Sequence, residues 1–230
     1  MNTKRLFYYT ALFMVFLLSE VKAQRTYQTG LLPAVNFNYK LKGDWSLNSK
    51  LESRQRLSSG TFNMDGQADF DYVLTDFSLI AARKVGLNAR ASAGYLIRIT
   101  DDEAIHRFIQ QFAMTQKLSG LRIAHRLVTD QTFSRDELPE FRLRYRWVTE
   151  IPLNGQSADP KEFYLKVGNE YLNSLQDGSY DLEIRGIPLL GYIVDDKNRL
   201  EGGLDYRVNS FLRGNARHRF WVSLNWFVEL

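Results

Sequence analysis

The residues best suited to chemistry are three histidines, His106, His125 and His218, in a chain with no cysteine. A histidine that activates a serine must lie within hydrogen-bond reach of it. On a strand that favours a spacing of two, which puts both side chains on one face. Two residues after the histidines stand Phe108, Leu127 and Phe220, and two before stand Ala104, Ile123 and Ala216. No local His-x-Ser pair exists, so no catalytic residue is assigned. A triad drawn from distant strands, such as His125 with Ser92 or Ser134, keeps a lipid-modifying hydrolase open as an alternative. The histidines lie 19 and 93 residues apart, and with no cysteine to help them they do not form a metal-binding pattern. Asp101-Asp102-Glu103 and Asp195-Asp196 fall in predicted turns, where Asp is favoured for its own backbone hydrogen bonds. The residues call for no metal or cofactor.

Arginines are the other candidates. Arg142, Arg144 and Arg146 alternate with Phe141, Leu143, Tyr145 and Trp147, so they share one face of one strand at about 6.6–7 Å spacing. Arg54 and Arg56, and Arg122 and Arg126, repeat the theme. Three like charges in a confined space repel unless acids face them. Glu52, Glu150, Glu170, Glu201 and Asp205 fall on the same predicted face. The predicted lumen site is therefore Arg54, Arg56, Arg126, Arg142, Arg144 and Arg146 with Glu52 and Glu150. It reads either as an ion-pair network that fills a narrow barrel or as a basic constriction that favours anions.

The elements that must position these groups are long strands. Alternation of apolar and polar residues runs through Leu31–Leu41, Trp45–Leu57, Val85–Ile99, Phe141–Ile151 and the segment from Phe220 to Leu230. Weaker strands fit 69–82, 105–118, 121–133, 161–173, 181–194 and 199–208. Many run 11 to 14 residues, longer than the globular mode of about 5–6 and suited to crossing a bilayer. Short connections at 42–44, 83–84, 119–120 and 195–198 alternate with longer polar ones at 58–68, 131–140, 174–180 and 209–217, with 100–104 short and 152–160 long for their classes, which predicts one rim of tight turns and one of loops. Tyr39, Trp45 and Trp147 are read as aromatics at headgroup level. The fold class is all-β: a transmembrane antiparallel up-and-down barrel of 10–12 strands. Eleven segments are countable, and the even-number rule for single-chain bacterial barrels favours twelve, with residues 24–30 as the extra strand.

Residues 1–23 read as a cleaved signal peptide: Lys4 and Arg5, an apolar run from Leu6 to Leu18, and small residues around Val21-Lys22-Ala23. Residues 24–230 then form one barrel domain. Without residues 1–23 the chain keeps 27 basic and 25 acidic side chains, which argues against nucleic acid as a partner. The predicted location is the cell outer membrane. Predicted partners are outer-membrane lipid, the barrel assembly machinery during insertion, and a small anionic solute or another envelope protein. A soluble, lipocalin-like ligand-binding barrel with its faces inverted is a further alternative.

The stretches QTGLLPAVNFNYKLKGDWSLNSKLESRQRL, HRLVTDQTF, LPEFRLRYRW and RLEGGLDYRV, in that order, resemble an uncharacterised family of secreted short β-barrels, domain of unknown function twenty-four ninety. The resemblance spans roughly residues 24–230. It implies a Gram-negative outer-membrane location and no particular activity. The last strand also resembles the signal read by the barrel assembly machinery, although it ends in Leu230 with Trp226 and Phe227 upstream, not in an aromatic residue.

Overall fold

The computed structural model describes residues 26–62 and 66–230; the predicted signal peptide lies outside them. The described residues form eleven strands: β1 (Thr26–Lys40), β2 (Trp45–Thr61), β3 (Gln67–Lys84), β4 (Ala89–Ile99), β5 (Ala104–Leu118), β6 (Leu121–Phe133), β7 (Glu140–Pro152), β8 (Phe163–Gln176), β9 (Ser179–Ile193), β10 (Asn198–Asn209) and β11 (Arg217–Glu229). Each pairs antiparallel with its sequence neighbour. The ring closes where β1 runs parallel to β11, from Thr26 opposite Arg217 to Asn38 opposite Glu229. Every strand is thus paired on both sides and no edge is exposed.

This closure corrects the expectation of twelve strands. Residues 26–30 pair with β2 on one side and β11 on the other, so they are the start of β1 and not an extra strand. An odd number of up-and-down strands can close only by bringing one pair together in parallel.

The two rims also differ less than expected. The first rim holds the start of β1, the end of β2 and the start of β3, and the connections 100–103, 134–139, 177–178 and 210–216. Five connections share the second rim with the chain end: 41–44, 85–88, 119–120, 153–162 and 194–197. The polar residues assigned to long loops at 58–61, 131–133 and 174–176 continue their strands instead. Asp177-Gly178 closes a two-residue hairpin with both φ angles positive (48° and 68°), the turn that an Asp-Gly dipeptide favours. The Asp195 carboxylate accepts the backbone N–H of Lys197 and of Asn198, each at 2.8 Å. The Lys197 amide, foremost among these donors, holds the Asp195 carboxyl below its ordinary value.

Alternation sets the two faces. On β7 the outward Phe141, Leu143 and Tyr145 are 55%, 47% and 40% exposed, while the side chains of Arg142 and Arg144 point inward and keep only 10% and 16%. On β11, Val222, Leu224 and Trp226 face out, with Trp221 and Ser223 buried inside. Trp45 flanks the first turn and lies under the guanidinium of Arg83 at 5.7 Å. Trp147 departs from the girdle expectation: it sits five positions inside the end of β7, and the connection beyond that end is the longest among the described residues.

Candidate functional site

The interior holds two chambers. The larger, about 450 Å³, lies toward the first rim and is lined by eleven basic and seven acidic side chains. The smaller, about 410 Å³, lies toward the second rim and includes Arg122, Glu150, Lys166 and Glu201. Apolar side chains, among them Leu32, Ile109, Val128, Leu172 and Ile187, share the interior and are buried. An Arg/Glu lining is thus only part of the filling. The outward neighbours of these residues are often apolar too, which hides them in the alternation.

Carboxylates organise the charge. Asp130, wholly buried, is reached by Arg142 at 2.5 Å, Arg144 at 2.6 Å and Arg107 at 3.5 Å. Arg142 is its register partner on β7 and Arg107 lies on β5. Glu52 takes Lys50 at 2.5 Å and Arg54 at 2.8 Å from its own strand. Asp76 receives Arg98 in a two-point contact at 2.7 and 2.8 Å, the geometry in which a guanidinium fork fits a carboxylate. Glu201 accepts Lys166 on both oxygens at 2.7 Å and the hydroxyl of Tyr164 at 2.7 Å.

Charge is unevenly spread around the wall. Counting groups that line either chamber, together with Asp130, strands β4–β7 supply seven arginines against three carboxylates. The other seven strands supply six bases against seven carboxylates. The excess positive charge therefore lies on one side of the lumen, a field transverse to the barrel axis.

Of the sequence-predicted residues, Arg54, Arg126, Arg142, Arg144, Arg146 and Glu52 line the larger chamber. Arg126 and Arg146 line the smaller as well, together with Glu150, which pairs with Arg122 at 2.7 Å. Arg56 stands apart from both, paired with Asp71 between the two bulges near the end of β2. Lys50, Ser78, Ile80, Arg126, Arg146 and Asn225 are shared by the two chambers, and no carboxylate is among them.

Arg126 and Arg146 are direct register partners on β6 and β7. Glu170, the register partner of Arg146 across β7 and β8, is engaged by Arg185 at 3.0 Å and by Arg126 at 3.6 Å. Among the described residues Arg146 has no carboxylate within 4.0 Å and makes no side-chain hydrogen bond, and its buried Nε is unpartnered. Arg219, nearer the first rim, is in the same condition.

The histidine rings turn outward to tyrosines, and His125 also borders the smaller chamber. Tyr95, Tyr145 and Tyr206 meet the Nδ1 atoms of His106, His125 and His218 at 2.5, 2.8 and 2.7 Å. The geometry is the same three times: each tyrosine stands directly opposite the residue two after its histidine, namely Phe108, Leu127 and Phe220. An outward phenol on an apolar surface needs a partner, and the diagonal histidine supplies it. The tripeptides His106-Arg107-Phe108, His125-Arg126-Leu127 and His218-Arg219-Phe220 are the signal that marks this arrangement. Ser92 occupies an inward position of β4, so it and the outward His125 lie on opposite faces of the wall. Among the described residues no group of three or more His, Asp or Glu is arranged to hold a metal.

The fold and interior define a class: a closed, mostly antiparallel β-barrel with a charge-rich lumen and an apolar exterior. The chain belongs to the family described as protein of unknown function (DUF2490), whose family model matches residues 29–220. No curated protein and no solved structure matches it.

Proposed function

We propose that this chain is an outer-membrane barrel, exported by the signal at residues 1–23, whose lumen forms a narrow passage biased toward small anions. The membrane assignment rests on the outward face. Strand after strand presents groups such as Leu51, Leu79, Phe112, Leu143, Leu190 and Leu224, each at least 44% exposed, while the ionic groups of the same strands turn inward. Water-soluble barrels do the reverse. A lipocalin-like binder would need an apolar interior, which eleven basic and seven acidic lining groups argue against. In the proposed setting outer-membrane lipid contacts the exterior, and the barrel assembly machinery reads the last strand.

The observation that carries the passage is the pair Arg126 and Arg146, common to both chambers with Arg146 lacking a carboxylate of its own. Anion pores use rings of basic side chains in this way. Purified barrel in planar bilayers should give stepwise currents whose reversal potential in a salt gradient marks chloride as the favoured ion. Absence of current from folded protein, in repeated preparations, would overturn the passage. The second reading is a filled scaffold, favoured by the three arginines bound around Asp130; that null result would support it.

A further inference from the structure

The proposed passage leaves open which anions it takes, and the surroundings of Arg126 and Arg146 narrow the choice. Two guanidinium groups directly opposite each other on neighbouring strands repel, and here they are register partners. Glu170 must serve Arg126, Arg185 and the neighbourhood of Arg146 together, and Arg185 is also held by Glu183. Glu170 therefore leaves Arg146 without a counter-charge of its own. The Arg126 side chain is 39% exposed, inside the barrel, so the missing negative charge can be supplied from the lumen. Ser78 adds a hydroxyl to the same shared girdle, and Lys50 adds a further cation.

We infer that Arg126 and Arg146 form a binding site for an oxyanion, such as phosphate, sulfate or a small carboxylate, held by paired guanidinium forks. This deepens the proposed passage and rests on that reading for its transport role. A planar guanidinium presents parallel N–H donors that match two oxygens of one anion, whereas an ammonium group offers only a point charge. A halide has no pair of oxygens to satisfy both donors of a fork. Chloride would therefore pass the girdle while an oxyanion lingers and blocks it.

The test measures chloride current through the full barrel against added sulfate and phosphate, with calorimetric binding of the same two ions to detergent-solubilised protein. Arg146→Lys and Arg146→Gln are compared with Leu212→Gln, a control in the exposed 210–216 connection. In the wild-type barrel and the control, sulfate and phosphate block at concentrations about tenfold or more below those needed in either Arg146 variant, the loss expected for charge-assisted hydrogen bonds. Arg146→Lys keeps the sign of the anion bias and loses the block, which separates fork from charge. Chloride current without sulfate or phosphate block, unchanged by both variants, would overturn the oxyanion site and leave the passage standing. Absent current with calorimetric binding that disappears in Arg146→Gln would overturn the passage and leave the site standing. Neither current nor binding would overturn both.

Discussion

Tyr164 lies flat against Gly191, its direct partner across β8 and β9: a Cβ on that glycine would fall 2.0 Å from the ring. The ring is fully buried and its hydroxyl donates to Glu201 at 2.7 Å. Trp221 and Gly30 repeat the pairing across the parallel seam. In both places a large aromatic fits inside a narrow barrel because its neighbour has no side chain.

Gly191→Ala should therefore destabilise the barrel by about 1–3 kcal/mol, the cost of overpacking a filled interior. Tyr164→Phe keeps the ring and loses only the hydrogen bond, costing about 1–2 kcal/mol. Urea unfolding of the barrel in detergent or lipid measures both. Equal stability of Gly191→Ala and wild type would contradict the packing.

Asp130→Asn should be among the most damaging single changes in the lumen. It leaves Arg107, Arg142 and Arg144 without their common carboxylate, and stranding buried charge costs about 3–5 kcal/mol. Adding Arg144→Gln to Asp130→Asn should recover part of the loss, because it removes one stranded cation. A simple sum of the two single effects in unfolding experiments would argue against this coupling.

Replacing His106, His125 or His218 by Ala should leave the phospholipid composition of expressing cells unchanged, since each ring is engaged by an outward tyrosine. Each loss should cost about 1 kcal/mol of stability. Altered lipid profiles from any of the three would revive a hydrolase.

Leu79→Arg separates the two possible surroundings of the exterior. Leu79 is 44% exposed on an apolar stretch of β3. In water the change would be nearly neutral; facing hydrocarbon near the midplane it should cost about 2–4 kcal/mol. Stability in lipid bilayers reads the difference.

Much of this architecture was legible in the alternation. Residues 141–147 alone set which face of β7 bears arginine and which bears Phe141, Leu143 and Tyr145. Alternation is local, however, and says nothing of how a ring closes, so twelve strands were inferred from a general rule where eleven meet through the pairing of β1 with β11. Polar composition made Ser58 and Ser174 look like loop residues, yet both remain paired. The Asp-Gly turn at 177–178 was visible in the sequence and was submerged in a longer predicted loop. Counter-charge was the least legible feature. Asp130 lies 12 and 14 residues from Arg142 and Arg144, and only the β6–β7 register brings them together.

The central claim, an exterior that faces hydrocarbon and guanidinium groups that face the lumen, is tested most directly by single cysteines. The native chain has none, so each introduced thiol reports alone. In barrels reconstituted into vesicles, spin labels at Leu79→Cys, Leu143→Cys and Leu224→Cys should be relaxed strongly by oxygen and weakly by a water-soluble nickel chelate. Strong relaxation by the chelate at all three sites, in protein that stays in the aqueous phase, would contradict the account.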